Sequence, residues 1–208
     1  FFHDFYFLFG FLPTIFVIGR QHPGETLSSF FIEGMINSII QNNELLAKYH
    51  FVFYPIVNTI GVKNGSHRYV NGIDFNRVWQ SNKAPKEIKF IKEELRLYSL
   101  LYFIDVHNDE ITQMDYIRVS GNLNKNNVSG LTVLKSMSPF YRLLRAIIKQ
   151  KKLINLSCKT AREYVKKYYG CTSILIELSM KENYKNSFLK GEKFILELLE
   201  DKENQNGK

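Results

Sequence analysis

Thr14-Ile15-Phe16-Val17-Ile18-Gly19-Arg20-Gln21-His22-Pro23-Gly24-Glu25-Thr26 is the stretch whose reading decides the fold. Thr14 to Ile18 is short, apolar and rich in β-branched and aromatic residues, and Pro13 and Gly19 bound it, so it reads as a buried central strand. After Glu25, Thr26 or Ser28 can cap a helix whose apolar positions Phe31, Met35, Ile36, Ile39 and Ile40 recur at three- and four-residue spacings, ending near Asn42 and Asn43. Strand, loop and helix together make an α/β unit. In open α/β sheets ligands gather at the carboxyl ends of strands, which is where His22 and Glu25 fall. An imidazole and a carboxylate three residues apart are a workable pair of zinc ligands, although an HxxE pair alone is also what a surface histidine and a helix-start glutamate would look like.

The same alternation continues downstream. Phe51 to Val57 reads as a second strand, followed by a long irregular loop from Asn58 to Asn76 that holds His67, Arg68 and Asn76 and leads into Arg77. Lys86 to Leu101 has the pattern of an amphipathic helix, Tyr102 to Val106 of a third strand with His107 at its end, and Tyr116 to Ser120 of a fourth. Asn122 to Asn127 is a polar loop. Pro139 to Lys149 and Thr160 to Tyr168 read as helices, Thr172 to Leu178 as a strand and Phe188 to Leu199 as the closing helix. The expectation is one α/β domain over residues 1–208, with a mixed, largely parallel central sheet flanked by helices. Residues 1–13 form an ill-defined lead-in and 200–208 a charged tail expected to fray.

Composition agrees with a globular chain: of 208 residues, 45% are hydrophobic and 14% aromatic, enough for a core without staples. The net charge of +8 is spread along the chain and suits an acidic partner or substrate. No nucleic-acid-binding motif accompanies the lysines, so nucleic acid is not the expected partner. Phe1 to Gly19 is apolar enough to raise a membrane span, but His3, Asp4 and Pro13 interrupt it, and no membrane association is expected. Cys158 and Cys171 are too few for a disulfide framework and suit reduced thiols in the cytoplasm.

His22, Glu25 and His107 are three candidate ligands at strand ends, leaving one position of a tetrahedral zinc open. Glu177 interrupts the run Ile174 to Leu178, where an ionised carboxylate needs a partner or a purpose. Alternation puts it on one face with Ser173, Leu175 and Ser179, and a general base is one use for it.

Taken in order, HPGET, PIVNTIGVKNGSHRYVNGIDFNRVW, FIDVH, KTAREYV and ILIELSM resemble the M14 metallocarboxypeptidases, with the greatest likeness to the cytosolic carboxypeptidase branch. The likeness covers roughly Thr14 to Met180. It implies a zinc carboxypeptidase fold and one Zn2+ held by His22, Glu25 and His107, with Glu177 as general base and Arg68 as oxyanion stabiliser. It also implies Asn76 and Arg77 on the substrate's terminal carboxylate. Arg162, fifteen residues before Glu177, would stand at the floor of the specificity pocket and favour a terminal Glu or Asp. The implied activity is removal of carboxy-terminal residues, glutamate foremost, from acidic protein tails such as those of tubulin, in the cytoplasm. An aspartoacylase-like zinc amidohydrolase and a noncatalytic acidic-tail-binding module are the alternatives.

Departures accompany the likeness. Asn108 and Asp109 replace the Gly-His that follows the ligand histidine, Thr59 and Ile60 replace Pro-Asp after Asn58, and Lys159-Thr160-Ala161-Arg162 stands for GTGR. A catalytic tyrosine cannot be placed, its ungapped position being Asn155. The cytosolic branch also carries a β-sandwich domain ahead of the catalytic one, and this sequence, expected to be truncated, does not include it.

Overall fold

A computed structural model describes residues 12–109, 114–123, 127–134 and 159–206. The expected lead-in up to residue 11, the expected helix Pro139 to Lys149, Asn155 and Cys158 lie outside them. The first strand, β1, spans Thr14–Gly19 and is buried along its whole length. It is followed by α1 (Leu27–Ile40), α2 (Asn43–Lys48), β2 (His50–Tyr54), α3 (Thr59–Lys63), α4 (Lys86–Glu94), β3 (Leu100–Asp109) and β4 (Tyr116–Ser120). The described chain closes with β5 (Asn127–Val128), β6 (Leu131–Leu134), α5 (Ala161–Tyr169), β7 (Thr172–Ser179) and α6 (Tyr184–Asn206).

Among the described residues the strands form one sheet in the order β2-β1-β3-β7-β4-β6-β5. Strands β2, β1, β3 and β7 run parallel, β4 joins β7 antiparallel, and β6 pairs parallel with β4. This is the mixed, largely parallel sheet expected from the sequence. Helices cover both faces. Ile15, Val17, Ile104 and Ile176 meet Phe31, Met35 and Phe194 from α1 and α6 on one side. Phe16, Ile18 and Phe103 meet Trp79, Ile88, Ile91 and Val165 on the other. The apolar runs Ile15 to Ile18 and Ile174 to Ile176 in the central strands follow from burial on both faces.

Helices α1 and α6 lie backbone against backbone. A Cβ on Gly34 would collide with the Phe188 carbonyl, and one on Gly191 with the Phe31 carbonyl, so both crossing points need glycine. α1 is capped less simply than expected, because Thr26 is already helical and its side chain accepts no cap bond. Ile40, expected on the apolar face, is exposed, and Ile32 and Gly34 face inward instead.

Several boundaries moved for identifiable reasons. β2 stops at Tyr54 rather than Val57 because Pro55 has no N–H to donate, yet pairing resumes with Val57 N–H to Gly19 O (3.0 Å). The loop after Asn58 is partly ordered into α3, whose first turn is held by Asn58 Oδ1 accepting from Gly61 N–H (3.0 Å). α4 ends at Glu94 and passes through a 3-10 turn, Leu95–Leu97, because Tyr98 must turn extended to feed β3. β3 runs on to Asp109, so His107 lies inside the strand. The hairpin β5–β6 was not expected, although Ser129 (φ 54°) and Gly130 (φ 82°) make the left-handed turn such hairpins favour. The tail expected to fray from residue 200 is helical through Asn206, and α6 starts early because Asn183 Oδ1 accepts from Asn186 N–H (2.9 Å).

Candidate metal centre

The site begins where β1 ends. Arg20 takes a left-handed backbone (φ 51°), a strained choice for a side chain of that size, and its guanidinium bonds the Pro23 carbonyl across the loop. Gly24 N–H donates to His67 O (2.7 Å), and a Cβ at Gly24 would lie 2.9 Å from that same oxygen, so the third residue of HPGE has to be glycine. The turn delivers Gln21, His22 and Glu25 inward, all buried.

His107 arrives from β3, two strand positions after Asp105 and on the same face. His22 Nδ1 and His107 Nδ1 converge on the two oxygens of Glu25, at 2.6 and 2.7 Å. The rings are 4.9 Å apart, and one donor atom from each of the three residues lies within 4.8 Å of the others. Each imidazole gives its outer nitrogen to a second carboxylate: His22 Nε2 to Asp74 Oδ1 and His107 Nε2 to Asp105 Oδ1, both at 3.0 Å. Two nitrogens and one carboxylate are a zinc donor set, and outer carboxylates that orient ligating histidines are the support such a set needs. The residues present therefore fit a zinc ion.

The electrostatics are those of a cluster built for a cation. Burial alone would raise the Glu25 carboxyl, but His107 and His22 outweigh it and bring it down to about 2. Burial alone would lower His107, yet Asp105 and Glu25 hold it well above the usual imidazole range. His22 is raised in the same way against its burial, by Asp74 and Glu25. A divalent cation replaces protons in such a nest, and ligand binding there releases them.

Around this centre stand the other candidates. Arg68 donates from Nη2 (2.9 Å) and Nε (3.2 Å) to Asp74 Oδ2, so it is tied to His22 through one carboxylate. Asn76 is buried; its Oδ1 accepts from Ala161 N–H (2.9 Å), and its Nδ2 lies 3.1 Å from His107 Nε2. That side chain is thus engaged in joining α5 to the histidine, and any contact with a substrate carboxylate must share Nδ2. Arg77 is exposed, and its Nη1 donates to its neighbour's carbonyl, Asn76 O (2.6 Å). Arg162 sits in the first turn of α5, behind a capping box formed by Thr160 and Glu163. Burial lowers its pKa by more than the nearby charges of Glu163, Asp105 and Glu177 raise it. Glu177 is buried, beside His107 in the β3–β7 register and opposite Tyr116 of β4.

The departures have structural employment. Asn108 Oδ1 accepts from Ser28 N–H (3.2 Å) at the start of α1, and Asp109 Oδ2 accepts from the Tyr116 hydroxyl (2.8 Å). Asn58, whose next two residues differ from the family pattern, still holds both Gly61 N–H and, from Nδ2, the Gln21 carbonyl (3.2 Å). Asp74, Asp105 and Gln21 were given no role on sequence grounds. The first two were discoverable, Asp74 as the acid in Gly72-Ile73-Asp74 and Asp105 from its two-residue spacing to His107; nothing in the sequence announces Gln21.

No family model matches the chain. Human cytosolic carboxypeptidase 1 is 40% identical over 74 residues, 33% of this chain and 6% of the relative. Mouse cytosolic carboxypeptidase 6 is 35% identical over 107 residues, 45% of this chain and 20% of the relative. The crystal structure of a metallo-carboxypeptidase from Burkholderia cenocepacia superposes with a TM-score of 0.72 over 93% of this chain and 57% of the other, at 19% identity. The chain is thus similar in sequence to part of the cytosolic carboxypeptidases and shares the fold of the metallo-carboxypeptidases. The chain spans a small part of the length of those two relatives, and its likeness to the Burkholderia structure is one of fold.

Proposed function

We propose that the chain is the catalytic domain of a zinc carboxypeptidase that removes acidic residues, glutamate foremost, from the carboxy termini of peptides or protein tails in the cytoplasm. The observation that carries this is the convergence of His22 Nδ1 and His107 Nδ1 on Glu25, each ring braced from behind by a carboxylate. These three residues would hold a zinc ion, which would supply Lewis-acid polarisation of a peptide carbonyl and of the attacking water. Glu177, beside His107 on the same face, takes the proton from the attacking water and returns it to the leaving amine as the C–N bond breaks. Arg68 stabilises the developing oxyanion, with Asp74 fixing its guanidinium plane.

Arg77 is free to form a two-pronged contact with the terminal carboxylate, assisted by Asn76. Arg162 supplies the cation for an acidic terminal side chain, supported by its half-buried place in the first turn of α5. Cytosolic carboxypeptidase relatives and the chain's net charge of +8 support an acidic tail, tubulin-like, as substrate and the cytoplasm as location. No helix among the described residues is long and apolar enough to cross a membrane.

The substrate reading is tested with a panel of peptides ending in Glu-Glu, Leu-Leu or Lys-Lys and an N-acyl aspartate, each incubated with zinc-loaded protein. Trimming of Glu-Glu first, with Arg162→Met abolishing that preference, is the expected result. Hydrolysis of the N-acyl amino acid in place of every peptide would overturn it.

A further inference from the structure

Gln21 precedes His22 and is fully buried, an expensive place for a primary amide unless both ends are bonded. Both are. Its amide nitrogen Nε2 donates to the two oxygens of Asp105 at 2.9 and 2.8 Å, and its Oε1 accepts from the indole Nε1–H of Trp79 at 2.7 Å. Asp105 and Trp79 are themselves fully buried. Asp105 then passes Oδ1 to His107 Nε2 at 3.0 Å. The result is an unbroken chain, Trp79–Gln21–Asp105–His107, running from the apolar layer under α4 and α5 to one of the three candidate zinc ligands.

We infer that Gln21 is a positioning residue for the metal centre: it fixes the Asp105 carboxylate in the plane that orients His107, and it couples the indole of Trp79 to that ligand. This rests on the zinc reading above. The amide orientation is not arbitrary. Trp79 can only donate, so Oε1 must face the indole and the NH2 group must face Asp105. Held this way, Asp105 keeps an acceptor lone pair for His107 Nε2–H, so that Nδ1, which faces Glu25, is the nitrogen that would give up its proton to bind a metal held with that carboxylate. A methionine of similar length would fill the space, but it would leave the Asp105 carboxylate without its amide donors and Trp79 without its acceptor.

The geometry also provides a readout that needs no substrate, because Trp79 is the only tryptophan in the 208 residues. Zinc binding at His107 should change the Trp79 emission in the parent protein and in any variant that keeps the chain intact. The test is a zinc titration of the full chain with a competing chelator, read by both affinity and fluorescence, for the parent, Gln21→Met, Asp105→Asn and the double variant. Trp79→Phe serves as a shape-conserving control read by affinity alone.

Gln21→Met is expected to weaken zinc binding about tenfold, the lower end for removal of an outer-shell partner, and to lose the zinc-dependent emission change while still binding zinc. In the Asp105→Asn background the same substitution should cost little more, because both act through one carboxylate. Circular dichroism and thermal unfolding of each variant separate a loss of fold from a loss of positioning. Parent protein that binds no zinc overturns the zinc reading itself. Parent protein that binds zinc, with Gln21→Met matching it within twofold or losing the same factor in both backgrounds, overturns the role of Gln21.

Discussion

Asp74 is the side chain on which two of the proposed functions meet, and its removal has a calculable effect. One carboxylate oxygen holds His22 Nε2 (3.0 Å) and Asn76 N–H (3.0 Å); the other holds Arg68 through Nε (3.2 Å) and Nη2 (2.9 Å). Asp74→Asn keeps the volume but has one acceptor atom. If its oxygen stays with His22, the NH2 group faces a guanidinium, donor against donor; if it turns to Arg68, the NH2 group faces the Asn76 N–H. Loss of an outer carboxylate costs about 10- to 100-fold in metal affinity, or about 1.4–2.7 kcal/mol. Loss of the charge-assisted bonds to Arg68 costs about 1.5–3 kcal/mol in stability, which for a chain of this size lowers Tm by about 3–12 °C. His22, Arg68 and Arg77 hold the Asp74 carboxyl well below the ordinary range despite its burial, so it stays ionised and the stability deficit should persist from pH 5 to 9. Chelator-competition zinc titrations at three pH values, with calorimetric melts, measure both effects. Zinc affinity within twofold of the parent would refute the assignment of His22 as a ligand braced by Asp74.

Two further expectations concern the frame. Gly34→Ala puts a methyl group against the Phe188 carbonyl, and the misfit of about 1–3 kcal/mol should exceed the gain of about 1 kcal/mol in helix propensity, so Tm falls by several degrees at most; a rise in Tm would show that α1 and α6 are not in backbone contact. Lys190 bridges Asp115 and Glu182 and ties α6 to the ends of β4 and β7. Against its burial, Lys190 draws the Glu182 carboxyl below its usual range, a contribution fully present above about pH 4.3 and lost as pH falls through the depressed value. Lys190 is raised against its burial by the same partners, so its share is full below about pH 10.4 and lost above it. Lys190→Met should therefore cost about 0.5–1 kcal/mol between pH 5 and 9 and progressively less as pH falls below about 4.3, measured as the difference in Tm from the parent. A gap that does not shrink on acidification would assign the loss to packing.

The strand-loop-helix at Thr14 to Ile40 was legible because burial on both faces leaves a continuous apolar run in β1 and the spacing in α1 is regular. Glu177 was placed on its face by simple alternation. What escaped were features fixed by contacts distant in sequence. The crossing of α1 and α6 depends on Gly34 and Gly191, which look like ordinary weak points in two helices. The extension of β3 through Asn108 and Asp109 depends on partners in α1 and β4, so a polar ending read as the end of the strand. Gln21 was invisible for the same reason: its three partners come from positions 79 and 105 and from Asn58, and only the fold brings them together.

The central claim is that His22, Glu25 and His107 hold zinc while Glu177 moves the proton. The most direct measurement is mass spectrometry of a Glu-Glu-ended peptide incubated with the zinc-loaded chain and with zinc-loaded Glu177→Gln, alongside the zinc content of each. The account predicts about one zinc in both proteins, stepwise loss of glutamate with the parent and an intact peptide with the variant. Zinc retained in both and equal trimming by the variant would contradict it.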